Sequence, residues 1–381
     1  MTDGATELLT AGTAPVARDP VPASGPRWCL GTRLLVAATA LWCAYVGSHL
    51  LLSGRWWLWV LPAAIPPLAF VVVPALLAAA TGTAALMSRP LPRLPRYLVL
   101  CATLAALVAG APRSGLNPAA LGSRPAVPPG AISVVSWNTQ YWDRTDDPDR
   151  FYAYLTGLHA DVYLLQEYLD WDPADRGNEA REVDDLDRLH REFPGYQVVN
   201  RGELVTVSRF PIVGNPRVGP DRAPGADASF AALYASAKVL RTDLRIGDSV
   251  VSFYNTHIPV QVSVEPRSDF VSDTRQRATA RAGQFAGLEQ DIADNPGPVF
   301  LAGDFNTSPA MGDLRPLRRL LTDATPALRS VYPVSWELHG LPLWRLDWVF
   351  TNQGVRVERY EFSDSQGMSD HQAQRIWVSL S

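Results

Sequence analysis

Residues 303–309 read GDFNTSP. An apolar run, Val299 to Ala302, stops at a glycine and delivers a carboxylate, Asp304, and an amide, Asn306, to its tip. Gly, Asp, Asn and Pro also form plain turns, so this stretch alone leaves a turn and a working site equally open. Six other short apolar runs end in the same manner. ISVVSWNTQ ends at Asn138, DVYLLQEY at Gln166-Glu167, and SVVSFYNTHIP at Asn255-Thr256-His257. ELVTVSRFPI passes through Ser208-Arg209, RLDWVFTN carries Asp347, and MSDHQA carries Asp370-His371. Carboxylate and amide oxygens of this kind suit a hard cation such as Mg²⁺, which prefers oxygen ligands and keeps several waters. The histidines are too few, and in the wrong motifs, for a structural zinc site. This part of the chain holds no cysteine, which excludes a thiolate site and a disulfide framework.

The runs are short, rich in Val, Phe, Tyr and Trp, and bounded by turn residues, so they read as strands. Helical stretches intervene, most clearly 272–294, where Ala278, Ala282, Phe285 and Leu288 recur at helical spacing. Strands alternating with helices imply a layered α/β domain. Polar groups gathered at strand ends, on loops held by a rigid sheet, sit where catalytic groups tend to sit. Asp304 and Asn306 are two residues apart and so point the same way.

The ordered series WN, QE, SR, NTH, GDFN, LD and SDH spans residues 131–381. It resembles the endonuclease/exonuclease/phosphatase superfamily of DNase-I-like nucleases, apurinic endonucleases, neutral sphingomyelinases and inositol polyphosphate 5-phosphatases. The resemblance implies an α+β four-layer sandwich, two packed β-sheets flanked by helices. It implies a hydrolase that cleaves phosphate ester or anhydride bonds with Mg²⁺, or Mn²⁺ in its place. Glu167 would be the principal metal ligand, helped by Asn138 and Asp370. Asp304 would orient or deprotonate the attacking water, and Asn306 would donate hydrogen bonds to the phosphoryl oxygens. Asp347 would hold the ring of His371, which would contact phosphate or move a proton. His257 would contact phosphate or assist the leaving group, and Asn138 would also touch the substrate. Some relatives supply a carboxylate partner for His257 near the SR motif. Glu203 is a guess for it and stands outside the expected site. His49, His159, His190 and His339 fit no motif.

The N-terminal third differs. Residues 1–29 lack apolar periodicity and read as a disordered cytoplasmic tail. Residues 30–111 are strongly apolar and read as a transmembrane region of about three helices, over 34–52, 56–87 and 97–111. Trp56, Trp57 and Trp59 sit where an interfacial aromatic belt would sit. Residues 112–130, rich in Pro and Gly, read as a linker to the catalytic domain, 131–381. With three spans, Arg18, Arg27, Arg33, Arg89, Arg93 and Arg96 fall inside, and Arg55, Arg113 and Arg124 outside. That bias puts the C-terminal domain outside the cytoplasm, and the conclusion reverses if the third segment does not cross.

Charge bears on the substrate. Residues 131–381 hold 35 acidic and 25 basic side chains, a net of −10. A polyanion binder usually shows a basic footprint. The one local cluster, Arg267, Arg275, Arg277 and Arg281, reads as a solvated helix face. A lone lysine, Lys238, beside 33 arginines reads as coding bias. A phospholipid-type or small phosphorylated substrate is therefore expected over nucleic acid, with the membrane as partner. The layout is similar to the membrane-anchored teicoplanin-resistance proteins of actinomycetes, which are implicated in dephosphorylating undecaprenyl pyrophosphate. A membrane-tethered nuclease, a sphingomyelinase-like phosphodiesterase and an inactive scaffold are the alternatives.

Overall fold

A computed structural model describes residues 28–86, 93–123, 126–142, 147–171, 180–219, 228–262, 269–338 and 340–381. Of the tail expected over 1–29, residues 1–27, with Arg18 and Arg27, lie outside these residues, as do Arg89, Arg124, Arg267 and His339.

Four helices come first: α1 (Leu30–Leu52), α2 (Val60–Ala63), α3 (Ala69–Leu86) and α4 (Arg93–Gly110). Leu30–Leu52, Ala69–Leu86 and Arg93–Arg113 are long and apolar enough to cross a membrane, with mean hydropathies of 1.7, 2.0 and 1.7. The second stretch is shorter than the sequence suggested. Trp57–Trp59 forms a 3₁₀ turn and α2 a single turn, and the chain breaks at Pro66-Pro67 before α3 begins. Proline lacks the N–H a helix interior needs, so two in succession end the turn.

The sandwich follows. Its elements are β1 (Ile132–Asn138), α5 (Pro148–Gly157), β2 (Val162–Gln166), α6 (Leu186–Glu192), β3 (Gln197–Arg201), β4 (Leu204–Ser208) and β5 (Ile212–Gly214). Next come α7 (Phe230–Ser236), β6 (Val239–Ile246), β7 (Ser249–His257), α8 (Phe270–Asp294), β8 (Val299–Asp304), α9 (Leu317–Leu320) and β9 (Thr322–Asp323). The chain closes with β10 (Trp336–Leu338), β11 (Leu341–Trp344), β12 (Asp347–Thr351), β13 (Val355–Ser363) and β14 (Ala373–Leu380). One six-stranded sheet has the order β13-β14-β1-β2-β4-β3 and the other β5-β6-β7-β8-β12-β9, with β10-β11 a separate hairpin. Only β1–β2 and β7–β8 pair in parallel within these sheets, and each is joined through a helix, α5 or α8, as a parallel crossover requires.

Side-chain alternation builds the layers. Val134, Leu164, Phe253, Phe300, Val349 and Ile376 face inward and fill the space between the sheets. Their neighbours Trp137, Tyr163 and Leu165 face outward and pack with Phe151 and Leu155 of α5. On the other side Tyr254, Leu301 and Phe350 pack with Phe285 and Leu288 of α8. The result is helices, sheet, sheet, helix: the expected four layers.

The inward rows also explain the strand tips. Asn138 continues the row Ile132-Val134-Ser136, Asp304 continues Phe300-Ala302, His257 continues Val251-Phe253-Asn255, and Asp347 precedes Val349. Each strand is thus apolar at depth and polar at one shared end. Gly303 lets two of these tips approach. Its φ is +147°, and a Cβ there would lie 2.0 Å from the Thr256 carbonyl oxygen. Gly303→Ala is expected to cost about 3 kcal/mol or more. Thermal unfolding in detergent checks it, with Gly297→Ala as the control.

The sandwich sits on the helices. His49 Nε2, fully buried in α1, is 2.6 Å from the Ala310 carbonyl oxygen, and its Nδ1 accepts from Trp59 Nε1 at 3.2 Å. The Gly312 N–H donates to Ser53 Oγ at 3.0 Å, and Arg315 donates to the Leu50 carbonyl at 3.1 Å. Arg113, just beyond α4, donates to the Met311 carbonyl. The loop that follows GDFNTSP is therefore clamped between the C-terminal ends of α1 and α4. Asn117, in the stretch read as a linker, donates to the carbonyls of Leu328 and Ser330. That part of it lies along the sandwich and is no free tether.

Candidate active site

Asn138 joins the two sheets at their polar end. Its Nδ2 donates to Glu167 Oε1 at 3.0 Å and to Asp304 Oδ2 at 3.1 Å, and its Oδ1 accepts from the Gln140 N–H at 3.0 Å. Glu167 follows β2 with φ at +61°, an unusual backbone for a non-glycine residue that turns its carboxylate back over the strand end. The Tyr141 N–H completes its shell at 3.2 Å. Burial raises the Glu167 pKa, because the charged form gives up water there.

Two imidazoles flank Asp304. The Nε2 atoms of His257 and of His371 each lie 3.6 Å from Asp304 Oδ2. Behind His371, Nδ1 is 2.9 Å from Asp347 Oδ2, the arrangement expected from the sequence. Behind His257, Nδ1 is 3.1 Å from Glu203 Oε2, and Glu203 also pairs with Lys238. Each ring is held from the rear by a carboxylate and presents Nε2 to the centre. Glu203, left outside the expected site, is thus the missing partner of His257. Its signal was faint: a single acid at a turn before LVTVS. Lys238 offered a second one. The only lysine of the chain is buried here and does more than reflect composition.

Burial alone would lower the pKa of both imidazoles. For His257, Glu203 outweighs it and raises the value to about 9. For His371, Asp347 and Asp304 raise it to about 10. Burial would raise that of Glu203, but His257 and Lys238 hold it down at about 2. A raised imidazole pKa stabilises the folded chain fully below the ordinary value near 6.5, and that stability is lost as pH rises through 9. The chelator-treated protein should therefore lose stability between pH 6.5 and 9. Each titrating ring contributes up to about 1.4 kcal/mol per pH unit. Unfolding midpoints across that range check this, and His257→Gln should flatten the slope.

Asn306 has φ at +46°, and its own N–H donates to Asp304 Oδ1 at 2.7 Å. Its Nδ2 hydrogens go to the Ile258 carbonyl at 2.9 Å and to Asp304 Oδ2 at 3.2 Å. The side chain aims Asp304, and donation to a phosphoryl oxygen would require release of one of these bonds. Asp370 stands apart at the rim. Its Oδ2 accepts from Trp336 Nε1 at 2.9 Å and its N–H donates to Gln140 Oε1 at 2.8 Å, rather than turning to Glu167 or Asn138. Beneath the centre lies an amide layer that the sequence did not announce. Gln166 Nε2 donates to Asn255 Oδ1 at 2.7 Å, and Asn255 Nδ2 donates to the Leu165 and Val205 carbonyls at 2.9 Å. It ties the sheets together where the polar end begins.

The residues fit a divalent cation. Three buried carboxylates, Glu203, Asp304 and Asp347, and the partly buried Glu167 face one lysine and two imidazoles. Ligand atoms of Asp304, Asp347 and His371 lie within 4.8 Å of one another, and Asp347 Oδ1 has no hydrogen-bond partner. Oxygen donors in excess of cationic side chains are what a hard ion needs.

The Endonuclease/Exonuclease/phosphatase family pattern matches residues 135–371, which contain all of this centre. The chain belongs to that family. Members of the endonuclease/exonuclease/phosphatase family are hydrolases of phosphate esters, typically dependent on a divalent metal. No curated protein matches the chain. Among solved structures, a family protein from Leptotrichia buccalis is 14% identical over 66% of this chain and 100% of its own, with a TM-score of 0.45. One from Beutenbergia cavernae is 17% identical over 66% of this chain and 72% of its own, with a TM-score of 0.48. A mannosyl-6-phosphatase from Bacteroides thetaiotaomicron is 15% identical over 65% and 100%, with a TM-score of 0.44.

Proposed function

We propose that the protein is a membrane-anchored, Mg²⁺-dependent phosphohydrolase that removes phosphate from a lipid pyrophosphate such as undecaprenyl pyrophosphate. One observation carries this reading: the loop after Asn306 is clamped by His49, Ser53, Leu50 and Arg113 at the ends of α1 and α4. The phosphate-cleaving centre is thereby held beside three membrane-length helices rather than on a free tether. The acidic balance of the sandwich also favours a small or lipid-borne phosphate over a nucleic acid.

Orientation follows from the same ends. α1 and α4 both finish at the sandwich, so three crossings put the start of α1 on the opposite side. Arg33, Arg93 and Arg96 lie at that far side and favour the cytoplasm for it. The catalytic domain then faces outward.

Glu167, with the Asn138 side chain and Asp304, would hold the metal, and the metal would offset the charge of the substrate phosphate. Asp304 accepts the proton of the attacking water at Oδ2 as the water oxygen bonds to phosphorus. Asn138 and Asn306 keep that oxygen in place. The His371 Nε2–H, fixed by Asp347, steadies the phosphoryl oxygens as charge shifts onto them. The bond from phosphorus to the leaving oxygen breaks, and the His257 Nε2–H supplies that oxygen with its proton.

The test is phosphate release by the purified full-length protein, with and without Mg²⁺, on undecaprenyl pyrophosphate, sphingomyelin and plasmid DNA in parallel. Release from the isoprenoid lipid alone is the expected result. Nicking of the plasmid with the lipids untouched would overturn the reading in favour of a tethered nuclease.

A further inference from the structure

The seam between helices and sandwich encloses a cavity of about 550 Å³. That lies within the ~300–1,000 Å³ typical of small-molecule sites. One wall is the turn that leaves α1, with Trp56, Trp57, Trp59 and Val60. The other is α8. Ala278 and Ala282 recur at helical spacing with the buried Phe285 and Leu288. But Ala278 is half-buried and Ala282 exposed, and both line this cavity. Their small size gives the groove its width. The arginine cluster is only in part a solvated face, with Arg275 exposed. Arg281 is buried, and Arg277 pairs with Asp273 at 2.9 Å.

Arg281 closes the inner end. It donates to the Pro259 carbonyl, to Thr307 Oγ1 at 2.8 Å and to the Phe305 carbonyl at 3.4 Å. Gln261, four residues after His257, also lines the cavity and reaches Met311 Sδ at 3.0 Å. Gln261 and Asp313 of the wall thus come from the chain that follows His257 and Asn306. At the rim, Arg55 and Arg275 are exposed and form no ion pair among the described residues.

We infer that this groove takes the proximal hydrocarbon chain of an anionic membrane lipid while its phosphate head lies at the catalytic loops, an inference that rests on the lipid-phosphate reading above. Tryptophans, alanines and Phe285 line much of the groove, with Thr274, Thr279, Glu289 and Asp313 between them, and it is continuous with the end of a membrane-length helix, so a lipid chain can enter from the membrane side.

The experiment uses full-length protein in phosphatidylcholine nanodiscs carrying a long-chain polyprenyl pyrophosphate with a diazirine near its head. Light-induced adducts are expected on residues 56–63 and 275–286. Adducts confined to the outer faces of α1, α3 and α4 would overturn the groove, whether or not the lipid is hydrolysed. In parallel, the ratio of kcat/KM for a long-chain over a water-soluble short-chain pyrophosphate should fall about tenfold in Ala282→Trp. It should hold in Ala280→Trp, which is exposed outside the groove. An unchanged ratio in Ala282→Trp contradicts the groove alone. Wild-type protein that hydrolyses neither pyrophosphate contradicts the catalytic reading, and the adduct map still decides the groove.

Discussion

Asp304→Asn is expected to lower kcat for phosphate release by about 10³–10⁴-fold, near the upper range for loss of a general base. The substitution keeps the shape of the side chain. It removes the negative charge between His257 and His371 and the acceptor for the water proton. It also leaves one donor facing another. Asp304 accepts from the Asn306 N–H at one oxygen and from the Nδ2 groups of Asn138 and Asn306 at the other. An amide satisfies only one side, at a cost of about 1–3 kcal/mol. Activity should therefore collapse while the protein still folds, and the two imidazoles should give up protons at lower pH. Steady-state kinetics and unfolding midpoints on the same sample check this. A kcat within tenfold of wild type would remove Asp304 from the chemistry.

Glu203→Gln is expected to be the most destabilising change at the site. Glu203 is fully buried and is shared by Lys238 and His257. Removing one member of a buried ion pair leaves an uncompensated charge, typically a loss of about 3–5 kcal/mol. His257 would also lose the carboxylate that raises its pKa, and with it the proton for the leaving group. Lys238→Met in the same chain removes the stranded charge. The double variant should recover most of the stability and little of the activity, which separates the two roles of Glu203. A single variant that loses less than about 1 kcal/mol would contradict the buried triad.

The strand tips were legible because alternation and turn chemistry are local. A run such as Val299-Phe300-Leu301-Ala302 followed by Gly303 announces both a strand and the residue it delivers. The membrane-length helices were legible from hydropathy alone, though Pro66-Pro67 divides the second stretch more sharply than composition suggests. What escaped is non-local. His49 fits no motif, and its partner Ala310 lies 261 residues away. Glu203 and Lys238 come from different sheets, 35 residues apart, and neither has a neighbour in sequence that marks it as buried. Arg281 looked like one more surface charge until Pro259, Phe305 and Thr307 closed around it.

The convergence of acids and amides on one hard cation is tested most directly by calorimetric titration of Mn²⁺ into full-length, chelator-treated protein at pH 7.5. One ion per chain is expected. Binding should be lost in Glu167→Gln. No binding at all, or binding that Glu167→Gln leaves intact, would contradict a metal-dependent phosphohydrolase centre at these residues.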